Sequence, residues 1–97
     1  MYLAVIKVRP LLDYFLELTF ENKEIKIFDM KPYLNIGLFK TLRDEKLFQM
    51  VKISYDSIEW PNGIDMDPEI LYEKGILKNI EYKNSKRQGT QVIKNPS

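Results

Sequence analysis

The sequence predicts an α+β fold, with one antiparallel β-sheet of about five strands and two or three short helices packed on one face. Apolar and polar residues alternate in two segments typical of β-hairpins, at residues 14–29 and 51–60. Helix start signals occur between these segments and after them. Apolar residues make up 44% of the 97 residues, enough for one core but not for two.

The first three strands are predicted near the N-terminus. Leu3–Val8 is apolar enough to be a central or covered strand, and it ends at Pro10, which cannot donate a ladder hydrogen bond. The first hairpin then pairs Tyr14–Phe20 with Glu24–Asp29. A two-residue loop at Asn22-Lys23 connects these two strands.

The register of this hairpin follows from its apolar rows. A two-residue loop places Phe20 opposite Ile25 and Leu18 opposite Ile27, so that the apolar faces coincide. A shift of one residue would turn one row toward solvent. Lys23 stands in the loop where glycine would be easier, at a cost of roughly 1 kcal/mol.

A second hairpin is predicted over Val51–Trp60, with its turn at Asp56-Ser57. Its apolar side chains again match across the strand pair. They are Val51, Ile53 and Tyr55 before the turn, and Ile58 and Trp60 after it.

Two helical segments are predicted between the hairpins. Pro32-Tyr33-Leu34 is typical of the first turn of a short helix that ends near Gly37, and Asp44 is a suitable N-cap for a helix over residues 45–50. Five apolar residues are spaced for one buried helical face. They are Leu38, Phe39, Leu42, Leu47 and Phe48.

The clearest helix start is at Asp67. This residue can cap the free amides, Pro68 suits the first helical position, and Glu69 favours the positive end of the helix dipole. Gly75 stands where a C′ glycine ends many helices. The residues expected to dock this helix on the sheet are Ile70 and Leu71.

The composition narrows the possible chemistry. The chain has no cysteine and no histidine, which excludes disulfides, thiolate ligands and the commonest general base. No glycine-rich phosphate loop, nucleophile elbow or paired-carboxylate spacing is visible. We therefore expect no catalytic residues, no metal site and no cofactor. Because Lys7 and Arg9 interrupt the first apolar run, we expect no membrane span and a cytoplasmic location.

Charge is divided unevenly along the chain. Residues 1–73 hold 9 Lys and Arg against 13 Asp and Glu, a balance of −4, whereas residues 74–97 hold 6 against 1, a balance of +5. We predict one α+β domain over residues 1–75 and a basic C-terminal extension over residues 76–97, partly ordered or adding a strand. Asn84–Gly89 is typical of a linker.

Several of these segments, taken in order, resemble a known family. They are Phe28-Asp29, Gly37–Leu42, Phe48 and, most specifically, Trp60–Tyr72. The chain thereby resembles, over roughly residues 5 to 73, the bacterial family catalogued as domain of unknown function 2442. Lys23 departs from the glycine often found in that family's first hairpin. The resemblance implies a small α+β domain with an antiparallel sheet, sometimes encoded beside another small uncharacterised protein, and it supplies no catalytic residues.

The loop after the second hairpin is a candidate interaction or ligand loop formed by Trp60, Asn62 and Asp65. Each residue also has a structural interpretation: core packing for Trp60, a turn for Asn62, and an Asx-type hydrogen bond for Asp65. Asp65 with Asp67 and Glu69 suggests a cation site. The order does not fit a calcium loop, however, and capping accounts for the last two residues.

The C-terminal extension is a candidate nucleic-acid or partner-binding segment. Its residues of interest are Lys78, Tyr82, Lys83, Lys86 and Arg87, a mixture suited to phosphate contacts and base stacking. A solvated extension has the same composition, and the acidic body would repel a duplex.

From what the chain lacks, we expect a non-enzymatic protein-interaction module, an accessory or antitoxin-like partner of another small bacterial protein. Exposed sheet edges can pair with a partner or a second copy, through segments such as residues 76–82 and 90–93. In a homodimer, each basic extension would cross to the acidic body of the other copy. Nucleic-acid binding by the extension and small-ligand binding are the alternatives.

Overall fold

A computed structural model describes residues 3–78, which form seven β-strands with short helices between them. Every strand pair among these residues is antiparallel, which confirms the predicted α+β class. The strands are β1 (Val5–Pro10), β2 (Phe15–Phe20), β3 (Ile25–Asp29), β4 (Lys52–Ser54), β5 (Ser57–Glu59), β6 (Asp65–Met66) and β7 (Ile76–Leu77). The α-helices are α1 (Glu45–Phe48) and α2 (Pro68–Lys74), and 3₁₀ turns span Leu12–Tyr14, Lys31–Tyr33 and Gly37–Arg43.

The strands are divided between two sheets. One has the order β1-β2-β3-β7 and the other the order β4-β5-β6. The two strands beyond the predicted five are β6 and β7, which have two residues each and are too short to produce an alternation pattern. The sheets meet at the start of β1, where the N–H of Val5 donates to the carbonyl of Asp56 at 2.9 Å.

The loop of the first hairpin has three residues, not the predicted two. The N–H of Phe20 donates to the carbonyl of Glu24 at 2.8 Å, which leaves Glu21–Lys23 as the loop. Lys23 has a φ of 76°, as expected for the last residue of a three-residue hairpin loop. Lys23 therefore adopts the unfavourable positive φ, as predicted, but in a turn one residue longer than predicted.

This extra loop residue changes the register. Ile25 lies opposite Thr19, and Ile27 lies opposite Glu17. The partners predicted from the sequence are Phe20 and Leu18. That prediction is wrong by one residue, because it counts a loop one residue too short. Ile25 and Ile27 consequently point away from the core, on the outer face of the four-stranded sheet.

The turn of the second hairpin is at Tyr55-Asp56 and not at Asp56-Ser57. Ile53 lies opposite Ile58 in the β4–β5 pair. Ile53 and Ile58 stay in the apolar row, because moving a pairing by two positions leaves side chains on their faces, but Tyr55, predicted to belong to that row, lies in the turn. Tyr55 has a φ of 56° and is 98% exposed at the tip of the hairpin.

β1 is an edge strand that spans Val5–Pro10, so it starts two residues later than predicted and ends at Pro10 as expected. Pro10 is tolerated at its end because an edge strand has one side without ladder partners. The pairing is irregular between Val5 and Lys7. Only the start of β1 is covered as expected, since Val5 is buried while Ile6, Lys7 and Arg9 are exposed.

The cap of the second predicted helix is confirmed, because the Asp44 side chain accepts a hydrogen bond from the N–H of Lys46 at 3.0 Å. The segment before it is a 3₁₀ turn, in which residues three apart share a face. Leu38 therefore lies on the face of exposed Thr41 and not on that of buried Leu42. Leu38 is 75% exposed, so its predicted burial is wrong.

The start of α2 is confirmed, since Asp67 accepts a hydrogen bond from the N–H of Glu69 at 2.8 Å and Pro68 is the first helical residue. Leu71 is buried against the sheet, whereas Ile70 is exposed. Gly75 follows the helix as predicted, but its φ of −70° is not left-handed.

The core lies between the inner face of the four-stranded sheet and the layer formed by the second sheet and the helices. Edge-to-face aromatic contacts cross this boundary, with centroid distances of 5.0 Å for Phe20 and Tyr72 and 5.2 Å for Tyr14 and Phe48. No helix within residues 3–78 is long and apolar enough to cross a bilayer. The predicted linker and residues 90–93 lie outside the described residues.

Candidate interaction surface

Trp60 lies in the core. It has no exposed surface, and its indole N–H donates to the carbonyl of Phe48 at 2.9 Å. Its ring packs 6.0 Å from the ring of Phe48. No face of the Trp60 ring is therefore open to a stacking ligand.

Asn62 and Asp65 remain at the surface. The side-chain Oδ1 of Asn62 accepts a hydrogen bond from the N–H of Ile64 at 3.3 Å, and the side-chain Nδ2 donates to the Thr41 hydroxyl at 2.8 Å. Asn62 thus makes the Asx-type bond that was expected of Asp65. Asp65 pairs with Glu59 in the second sheet.

A shallow depression of about 410 Å³ lies beside Asp65, and Asp67 and the turn Tyr55-Asp56 also line it. Among residues 3–78, no three or more carboxylates are grouped so that they could hold a metal ion.

Of the candidate residues in the C-terminal extension, only Lys78 lies within the described residues. Its N–H donates to the carbonyl of Ile25 at 2.8 Å, and so extends the pairing of β7 with β3. The other candidates, Tyr82, Lys83, Lys86 and Arg87, lie outside the described residues. Ile76 and Leu77, predicted to belong to the extension, pair with Ile27 and Lys26 of the sheet.

A broad apolar depression lies on the outer face of the four-stranded sheet, and we call it the outer groove. Its volume is about 800 Å³. Its floor is formed by Arg9, Phe15, Glu17 and Ile27, one wall by Leu11-Leu12 and the other by Ile76–Lys78. The groove exists because the observed register directs Ile27 outward, opposite Glu17 and on the same face of the sheet as Phe15.

The exposed walls of the outer groove are apolar. Leu12 is 84% exposed and Ile76 is 72% exposed. Leu12 is held at this position by a tight turn in which Asp13 and Tyr14 have φ values of 61° and 65°. Left-handed backbone at a residue other than glycine costs about 1–2 kcal/mol. Lys31 stabilises this turn, because its ammonium group donates a hydrogen bond to the backbone carbonyl of Asp13 at 3.0 Å.

The polar centre of the groove is a shielded ion triad. The Glu17 side chain is only 15% exposed, and its two oxygens contact Lys78 at 2.7 Å and Arg9 at 2.8 Å. The hydrogen bond from Lys78 is the main cause that holds the pKa of Glu17 below its ordinary value; burial opposes it, and the bond from Arg9 adds to it. The triad leaves one surplus positive charge in the groove.

The Glu17 ion triad predicts a pH dependence of stability. Because the folded-state pKa is lowered, the contribution of the carboxylate is fully present above its unfolded pKa and is lost as the pH falls through the folded pKa, from roughly pH 5 downward. The cost of Glu17→Gln, measured by urea unfolding, should therefore shrink between pH 7 and about pH 3.5. Glu73→Gln is the control for removing an exposed carboxylate. An equal cost of Glu17→Gln at both pH values would contradict the prediction.

Sequence reasoning missed the outer groove. The available signal was in β3, where Ile25 and Ile27 alternate with Lys26 while Phe28 adds a large apolar side chain on the other face. A strand that is apolar on both faces is compatible with either register. Phe15, with the same orientation as Glu17, was a second indication that the outer face is not polar.

The comparisons with known proteins give one match. A family model described as "Protein of unknown function (DUF2442)" matches residues 5–76. No curated protein and no solved structure matches the chain. The matched region contains every strand of the four-stranded sheet except the last residue of β7, and it includes all the core residues.

Proposed function

This chain belongs to the family described as "Protein of unknown function (DUF2442)", and we propose that it is a non-enzymatic module that binds a partner protein through the outer groove. The observation that carries the proposal is the apolar surface on the sheet face away from the core, with Leu12 and Ile76 on opposite walls. Large exposed apolar patches in soluble proteins usually mark binding sites. The partner we propose is another small bacterial protein, for which this chain is an accessory, antitoxin-like component.

The experiment is affinity capture from the native cell at near-native expression, with full-length wild type, Leu12→Ser and Leu38→Ser. Both leucines are largely exposed, but only Leu12 lines the outer groove, so Leu38→Ser is the matched control. We expect a protein that wild type and Leu38→Ser retain and that Leu12→Ser loses. The same protein, once purified, should bind wild type in solution with the same dependence on Leu12.

Two results would contradict this function. If Leu12→Ser retains every captured protein, the outer groove is not the binding surface. If light scattering finds a dimer that Leu12→Ser dissociates, a second copy of the chain fills the groove and no other partner is needed.

A further inference from the structure

Resting on the proposed function, we propose that the outer groove binds an amphipathic α-helix of the partner, with carboxylates bordering the apolar stripe of that helix. Three features of the outer groove support this, namely the paired backbone at the centre of its floor, its width, and the sign of its accessible charge.

The centre of the floor offers side chains but no backbone partners. Glu17 on β2 pairs with Arg9 and Ile27, and Ile27 on β3 pairs with Glu17 and Ile76, so both have ladder partners on both sides. A chain that docks there must satisfy its own backbone hydrogen bonds. An α-helix does so internally, whereas an extended strand does not. A helix would also complete a layer on the sheet face that residues 3–78 leave open.

The width of the groove suits a helix. The floor runs from Arg9 on β1 to the wall on β7, a distance of three strand spacings or about 14 Å. A helix with its side chains is about 10–12 Å across. Leu12 lies in the connection between β1 and β2, and Ile76 lies on β7, so the exposed side chains of both can contact the apolar stripe of a helix in the groove.

The accessible charge of the groove is positive. Glu17 is shielded between its two partners, while the Arg9 side chain is 64% exposed and keeps donors beyond those that contact Glu17. Lys7 is also exposed, and lies two residues before Arg9 on the same face of β1. Carboxylates at the border of the docked helix would meet these cations. Phosphates would match the cations too, but the apolar walls favour a helix over a nucleic-acid backbone.

The test uses two synthetic helical peptides of about 18 residues, long enough for measurable helicity. Both carry the same leucine stripe, bordered by glutamates in one and by lysines in the other. Each is titrated into the full-length chain, labelled with ¹⁵N, at low salt. We expect the glutamate peptide to bind at least tenfold more tightly and to shift the amides of Leu12, Ile27 and Ile76.

Variants identify the contacts. Leu12→Ser should weaken the glutamate peptide about tenfold or more, and Arg9→Gln about three- to fivefold, with less dependence on salt. Leu38→Ser, outside the groove, should leave the affinity unchanged. Equal affinity for the two peptides, or shifts confined to residues outside the groove, would overturn the inference.

Failure of this inference is distinct from failure of the proposed function. Capture of the partner can depend on Leu12 while the glutamate peptide produces no amide shifts even at millimolar concentration. In that case the partner binds by an element other than a helix, and the proposal of a helix is wrong. If a single-stranded oligonucleotide, titrated in parallel, shifts the groove amides more strongly than the glutamate peptide does, the helix is again wrong and the nucleic-acid alternative replaces it.

Discussion

Replacing Trp60 with alanine should lower the free energy of unfolding by about 3–5 kcal/mol, a large share of the roughly 5–15 kcal/mol typical of a whole domain. The side chain is fully buried, and its removal leaves a cavity next to the ring of Phe48. The substitution also removes the hydrogen bond that the indole N–H donates to the Phe48 carbonyl. Urea unfolding followed by far-ultraviolet circular dichroism measures the change, because the chain has no other tryptophan to report by fluorescence.

Trp60→Phe separates the two contributions. It keeps an aromatic ring but removes the N–H donor. Because the Phe48 carbonyl still accepts the N–H of Val51 at 3.4 Å, the lost hydrogen bond should cost about 0.5–1.5 kcal/mol in addition to the lost volume. Tyr55→Ala is the matched control, because that aromatic side chain is 98% exposed and should change stability by no more than about 0.5 kcal/mol. A Trp60→Ala variant as stable as Tyr55→Ala would show that Trp60 does not pack in the core.

Replacing Gly75 with alanine should destabilise the protein by about 1–3 kcal/mol, although its backbone angles suit any residue. The added Cβ would lie 2.8 Å from the carbonyl oxygen of Leu71 and 3.0 Å from the Cβ of Lys26. The end of α2 and the strand β3 approach each other closely at this point, so one of them must shift. Because β7 follows directly, its pairing with β3 should loosen as well.

Two measurements check this prediction. Urea unfolding gives the stability, and hydrogen exchange gives the protection of the Lys78 amide, which donates to Ile25 beyond β7. Lys74→Ala is the control, since the neighbouring side chain is exposed and its loss should cost little. Unchanged stability of Gly75→Ala, together with unchanged protection of the Lys78 amide, would contradict the steric argument.

Local sequence signals were sufficient for the features that depend on neighbouring residues. The caps at Asp44 and Asp67 each bond a backbone N–H two residues away, so the signal and the contact lie in the same few positions. The α+β class and the antiparallel hairpins follow from local alternation of the same kind. Gly75 was predicted correctly as the residue that ends α2, but on the ground of a left-handed cap. The structure requires glycine there because Lys26 lies too close for a Cβ, and Lys26 is 49 residues away in sequence, beyond the reach of local patterns.

The register of the first hairpin, and with it the outer groove, depended on tertiary contacts. Ile25 and Ile27 on one face of β3 and Phe28 on the other allow either face to be buried. The choice is made by packing in the core: Phe28 stacks on nearby Tyr33 with ring centroids 5.6 Å apart, and it joins the core that the distant α2 and second sheet complete. Burial of that aromatic side chain outweighs burial of the two isoleucines, which therefore form the floor and border of an outward-facing surface.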